Sequence, residues 1–93
     1  MAMVHVHGRK SGQITLYGLS TCGWCQKTKK LLDELGVEYD YEYVDQTSGE
    51  ERARAMHEVT TWNPAASFPT MVIDNQRSII GFNEVEIRKV AAR

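Results

Sequence analysis

The two cysteines of the chain stand in one tetrapeptide, Cys22-Gly23-Trp24-Cys25. A disulfide across so short a loop would stabilise the fold by only about 2 kcal/mol, against about 3 kcal/mol for a 15-residue loop. A disulfide between these two cysteines would therefore contribute little to the stability of the fold. Because two thiols at this spacing can interconvert between dithiol and disulfide, the tetrapeptide predicts redox chemistry.

Cys22 and Cys25 are expected to have different roles. If Cys22 lies at the start of a helix, its sulfur faces unpaired N–H groups and the positive end of the helix dipole, which favour the thiolate. Cys25 would lie on the same helical face, less exposed but close enough to attack a mixed disulfide formed at Cys22. The pattern predicts Cys22 as the nucleophile and Cys25 as the resolving thiol.

Two other interpretations of the cysteine pair are less favoured. A C-x-x-C motif is also half of a zinc site, but the other half is missing: of His5, His7 and His57, only the first two are close together in sequence. Two inert buried cysteines are the second alternative, which a position between a strand and an amphipathic helix disfavours. We therefore expect no metal at these cysteines.

Hydrophobic periodicity predicts the element order βαβαββα around the cysteines. Period-two or β-prone runs indicate strands at 14–17, 37–44, 70–73 and 77–80, the last two forming a hairpin. Apolar residues at i, i+3, i+4 and i+7 indicate a first helix that Gly36 ends. Capping-box patterns predict that a second helix runs from Ser48 to about Val59 and that a third begins at Asn83.

Length and composition limit the classes of function. The 93 residues suffice for one domain, which we expect at 13–93, preceded by a flexible arm at 1–12. Eleven basic against twelve acidic side chains disfavour binding to nucleic acid. The longest aliphatic or methionine run, Met71-Val72-Ile73, is too short for a membrane span, and the N-terminus lacks the apolar core of a secretory signal. The cytoplasm is the expected compartment.

Three motifs together resemble the glutaredoxin family: the C-x-x-C, Phe68-Pro69-Thr70 at the third strand, and Gly81-Phe82 before the last helix. The resemblance extends from Gln13 to the C-terminus. It implies an α/β thioredoxin-like fold with a four-stranded mixed sheet flanked by three helices. It also implies a cis bond before Pro69 and a substrate-binding surface formed by Gly23, Trp24, Phe68, Pro69, Gly81 and Phe82.

Two departures from the family pattern bear on the electron donor. Leu19 stands where many glutathione-using members have a lysine, and Phe82 stands where they have a second glycine. Both changes weaken a pocket for the charged ends of glutathione. The Gly-Phe version is similar to NrdH-type redoxins, which implies a monomer recharged by a disulfide reductase of the thioredoxin reductase or ferredoxin-dependent type. Protein disulfides are the implied substrates, with ribonucleotide reductase as a candidate.

Two alternatives remain open within the same resemblance. One is an ordinary glutathione-dependent glutaredoxin. The other follows from Gly23, because some family members with glycine after the first cysteine hold a [2Fe–2S] cluster between two subunits. In the favoured interpretation the only redox group is the Cys22–Cys25 disulfide.

Overall fold

A computed structural model describes residues 3–93, and a five-stranded mixed sheet forms its centre. The strands are β1 (Val4–Val6), β2 (Ile14–Gly18), β3 (Tyr39–Tyr43), β4 (Thr70–Ile73) and β5 (Arg77–Ile80). The helices are α1 (Gly23–Leu35), α2 (Gly49–Trp62) and α3 (Glu84–Ala91), with a 3-10 turn at Val44–Gln46. Within residues 3–93, no helix combines the length and apolar character needed to cross a bilayer.

The strands lie in the order β1-β3-β2-β4-β5. β2 and β3 are parallel, as expected for two strands joined by a crossover helix, and the other neighbours are antiparallel. The thioredoxin-like fold and the predicted order of elements from residue 13 onward are thus confirmed. Since β2 is the central strand, both faces of its C-terminal end lie under helices, and this is where the cysteines follow.

The sheet has five strands, not the four that the sequence predicted. Val4–Val6 pairs antiparallel with β3, and Ser11 is buried with its hydroxyl donating to the carbonyl of Val90 at 2.6 Å. Residues of the predicted arm at 1–12 thus pair with and pack against the domain at Val4–Val6 and Ser11, which the sequence did not predict; Met1 and Ala2 lie outside the described residues. A three-residue strand has little pattern of its own, because its hydrogen bonds come from the edge of β3.

The sheet separates two apolar clusters. Ile14 and Leu16 point to one face of β2, where α1 and α3 supply Leu32 and Ile87, all fully buried. Tyr17 points to the other face, under α2. Burying each large aliphatic side chain contributes about 1.5–3 kcal/mol, so the two clusters hold all three helices against the sheet.

The helix ends follow the predicted caps in two of three cases. Gly36 ends α1 with a left-handed φ of 69°, and the side chain of Asn83 accepts from the N–H of Glu86 at the start of α3. The capping box predicted at Ser48 is not formed, because Gly49 takes a φ of 58° and the side chain of Ser48 makes no cap hydrogen bond. Helix α2 also continues to Trp62, beyond the predicted end.

Candidate functional site

The N-terminus of α1 presents the sulfur of Cys22. After β2 ends at Gly18, a short loop leads to Cys22, whose extended backbone (φ −89°, ψ 118°) makes it the N-cap of the helix. Its sulfur accepts the N–H of Cys25 at 3.2 Å. A cap position is normally filled by an oxygen-bearing side chain, so here a sulfur takes a bond that stabilises negative charge.

Cys25 lies one turn further along and faces the core. It is 1% exposed, whereas Cys22 is half-buried, and both are free thiols. Burial raises the pKa of Cys25 to about 12, and its hydrogen bond to Cys22 adds to the rise. The site therefore combines one accessible sulfur with one neutral thiol behind it, which is the arrangement that a nucleophile and a resolving thiol need.

The loop before Cys22 is anchored from β3 by Asp45. Its carboxylate accepts from the backbone N–H of Ser20 at 2.8 Å and from the Ser20 hydroxyl, and these bonds hold the pKa of Asp45 below its usual value. Gln26 donates to the carbonyl of Ser20 at 2.9 Å from the helix side. Sequence reasoning missed Asp45, although its position just after a strand parallel to β2 places it at the same sheet edge.

An apolar groove lies beside the cysteines. The indole of Trp24 is 58% exposed and stacks on the ring of Phe82, with ring centroids 5.8 Å apart and planes at 26°. The groove is lined by Trp24, Phe68, Pro69, Gly81 and Phe82. All five were predicted as substrate-binding residues, and the sixth, Gly23, adjoins Trp24 with open space around it. His57 lies elsewhere, exposed on α2.

The side-chain amide of Asn63 holds the segment before Pro69, which forms one wall of the groove. This role of Asn63 was not predicted from the sequence. Asn63 is buried, and its Nδ2 donates to the carbonyl of Ser67 and to the hydroxyl of Thr70, both at 3.0 Å. The Phe68–Pro69 bond is cis, as the resemblance implied, and the N–H of Gly81 donates to the carbonyl of Pro69 at 2.9 Å. An Asn-Pro pair after a helix was the only sequence signal for this contact.

Comparisons with known proteins agree with this geometry. A sequence profile of glutaredoxins matches residues 14–78. A glutaredoxin-like 8.6 kDa protein of the rubredoxin operon of Clostridium pasteurianum is 31% identical over 78 residues, covering 83% of this chain and 95% of that protein. The chain belongs to the glutaredoxin family. It is thus a member of a family of thiol oxidoreductases, as the sequence resemblance indicated.

Two solved structures are similar to this glutaredoxin over nearly its whole length. The glutaredoxin of Methanosarcina mazei Go1 is 48% identical with a TM-score of 0.91, covering 100% of this chain and 90% of that one. The methanoredoxin of Methanosarcina acetivorans is 45% identical with a TM-score of 0.89, covering 92% of this chain and 90% of that one.

Two lysines of α1 contact neighbouring side chains, and position 19 carries no charge. Leu19 is partly buried against the cluster under α2. The ammonium of Lys27 lies 4.9 Å from the ring centroid of Trp24, and Lys29 pairs with Asp33 at 3.0 Å. Position 19, where glutathione-using relatives are expected to present a cation, therefore contributes packing and no charge.

A substitution at Gly18 tests how closely the side chain of Cys25 packs against β2. A Cβ at Gly18 would lie 3.1 Å from the Cβ and 3.3 Å from the sulfur of Cys25, so Gly18→Ala must displace that side chain. We expect Gly18→Ala to lower the free energy of unfolding of the reduced protein by about 1–3 kcal/mol in urea denaturation. Gly23→Ala is the matched control, because nothing lies within 4 Å of its added Cβ, and it should change stability by at most about 0.5 kcal/mol. Equal losses in both variants would contradict the close packing.

Proposed function

We propose that this glutaredoxin reduces protein disulfides by a dithiol mechanism, with Cys22 as the nucleophile and Cys25 as the resolving thiol. The observation that supports it is the arrangement at the start of α1. There the sulfur of Cys22 accepts the Cys25 N–H at 3.2 Å, while the thiol of Cys25 is buried directly behind it. No other nucleophilic pair in the sequence has this spacing, since the chain has two cysteines.

In the first step the thiolate of Cys22 attacks one sulfur of the substrate disulfide. A bond forms between Cys22 and that sulfur, the substrate S–S bond breaks, and the second substrate sulfur leaves as a thiolate that takes a proton from solvent. The N–H of Cys25 and the positive end of the α1 dipole stabilise the attacking thiolate. The product of this step is a mixed disulfide at Cys22.

In the second step Cys25 resolves the mixed disulfide. Its thiol loses a proton and its sulfur attacks Cys22, so that the Cys22–Cys25 disulfide forms and the first substrate sulfur leaves. The high pKa of Cys25 keeps this thiol protonated in the reduced protein, and the proton that it loses on attack is taken up by the departing substrate thiolate. Two electrons have then passed from the dithiol to the substrate, and the protein must be reduced again.

The groove offers a surface for a protein substrate beside the reacting sulfur. Phe68 lines this groove, and we propose that its backbone amide and carbonyl pair with an extended segment of a partner. Trp24 and Phe82 add an exposed, stacked aromatic surface that a docked protein can bury. We propose that substrates are disulfides in extended or loop segments, with ribonucleotide reductase as one candidate.

Replacing each cysteine should block a different step of the reaction. Cys25→Ser should still attack a protein disulfide and accumulate a stable mixed disulfide through Cys22, because only resolution is lost. Cys22→Ser should form no adduct. Non-reducing mass spectrometry after incubation with a disulfide-containing protein checks this, and an adduct at Cys25 in the Cys22→Ser variant would contradict the assignment.

For the electron donor we propose a disulfide reductase, of the thioredoxin reductase or ferredoxin-dependent type, in preference to glutathione. Leu19 supplies no positive charge and packs against the core, and Phe82 places a ring where a glycine backbone would approach a small peptide. A protein donor needs no such pocket, since it can contact Trp24, Phe82 and the sulfur of Cys22 together. The protein is proposed to act as a monomer in the cytoplasm, where thiols are kept reduced.

Millimolar glutathione should reduce the Cys22–Cys25 disulfide slowly, and a disulfide reductase from the same cell should reduce it rapidly. Stopped-flow Trp24 fluorescence follows both reactions, because the indole lies beside the dithiol. Leu19→Lys is the informative variant: restoring a cation there should speed reduction by glutathione, while Leu19→Met should not. Reduction of the wild type by glutathione within seconds would overturn the donor assignment and favour an ordinary glutathione-dependent glutaredoxin.

A [2Fe–2S] cluster would need more ligands than the cysteine pair of one chain can supply. Cys25 is buried, so one chain could offer only the sulfur of Cys22, and a [2Fe–2S] cluster would need two chains and further thiol ligands. Protein purified without oxygen distinguishes the cases, because a coloured, glutathione-dependent dimer would contradict the monomeric dithiol proposal.

A further inference from the structure

The pairing of β1 with β3 brings two histidines and two carboxylates to one edge of the sheet. The register places His5 opposite Asp40, between the pairs Val4–Tyr41 and Val6–Tyr39. His5 lies in β1 and Asp40 opposite it in β3, while His7 follows the end of β1 and Glu38 precedes β3 on the same edge of the sheet. This edge of the sheet is separated from the cysteines by β3 and by the length of β2.

The distances within this group are close to those of a metal site. One ligand atom from each of His5, His7 and Glu38 lies within 4.8 Å of the other two. The Nε2 of His5 is 3.6 Å from Oε2 of Glu38. Two ligands of a tetrahedral zinc ion, with bonds of about 2.0–2.2 Å, are separated by about 3.3–3.5 Å. His5 and Glu38 are thus at a separation close to that of two zinc ligands, and His7 is exposed with a ring nitrogen within 4.8 Å of both.

Asp40 orients His5 in the manner of an outer-shell carboxylate. Its Oδ1 lies 2.7 Å from Nδ1 of His5, and its Oδ2 accepts from Nε2 of Gln13 at 3.3 Å. When Nδ1 donates its hydrogen to Asp40, the lone pair of Nε2 faces the carboxylate of Glu38. The gap of 3.6 Å suits either a proton on Nε2 or a metal ion, and a carboxylate, a histidine and a metal in line is the usual outer-shell arrangement.

We infer that this edge of the sheet binds one divalent transition-metal ion through His5 Nε2, an imidazole nitrogen of His7 and the carboxylate of Glu38. Asp40 is the positioning residue for His5, and water completes the coordination. A set of two imidazoles and one carboxylate suits Zn²⁺ and neighbouring ions of its series better than Ca²⁺ or Mg²⁺. The bound ion would link β1 to β3. This site does not depend on the proposed redox function.

Zn²⁺ titration tests the site. The full chain carrying Cys22→Ser and Cys25→Ser is used, so that no thiolate competes for the metal. Isothermal titration calorimetry near neutral pH should give one Zn²⁺ per chain. His7→Gln should weaken binding at least about ten-fold, and Asp40→Asn should weaken it about 10–100-fold while leaving the ligands in place. Co²⁺ should give an absorption spectrum of nitrogen and oxygen ligation.

His57→Gln is the matched control, because His57 is exposed on α2 and is not one of the residues whose ligand atoms cluster here. It should leave the affinity for Zn²⁺ unchanged. Circular dichroism in EDTA verifies that every variant is folded, so a loss of binding cannot come from unfolding. Absence of Zn²⁺ binding would overturn the proposal, because His5 would then only form ion pairs with Asp40 and Glu38. Binding retained within two-fold in His7→Gln, an equal loss in His57→Gln, or one Zn²⁺ per two chains would each overturn it as well.

Discussion

One hydrogen bond, from the N–H of Cys25 to the sulfur of Cys22, sets the geometry of the cysteine pair in this glutaredoxin. It makes a cysteine the N-cap of α1, a position where a side-chain oxygen usually contributes about 0.5–2 kcal/mol to a helix. The same bond that starts the helix also faces the sulfur with partial positive charge. Helix geometry then turns Cys25 inward, against Gly18, where burial keeps its thiol neutral. One turn of helix thus separates the half-buried sulfur of Cys22 from the buried, neutral thiol of Cys25.

Two further contacts hold the segments on either side of this helix start, next to the apolar groove. Asp45 ties the loop before Cys22 to the end of β3, and Asn63 ties the segment before Pro69 to Thr70 at the start of β4. Asp45 lies in the turn after β3, and Asn63 ends α2. These contacts hold the loop before Cys22 and the segment before Pro69, on either side of the cysteines.

Much of this could be predicted from the sequence, because the relevant signals are local. The spacing of Cys22 and Cys25, the apolar face of α1 and the hairpin around residue 75 each depend on a few neighbouring residues. The fifth strand could not be predicted, since Val4–Val6 depends on an edge that only the fold creates. For the same reason Glu42, which the alternating pattern places on the polar face of β3, is fully buried beneath α2 and pairs with Arg54 at 3.3 Å.

The most direct test of the account is the rate of alkylation of each cysteine as a function of pH, with the modified residue identified by mass spectrometry. With a pKa of about 12, only about 1 in 10,000 Cys25 thiols is ionised at pH 8, and the side chain is buried as well. The account predicts that Cys22 takes the label first at every pH below about 8 and that Cys25 reacts only after unfolding or at strongly alkaline pH. Labelling of Cys25 as fast as Cys22 in the folded protein would contradict it.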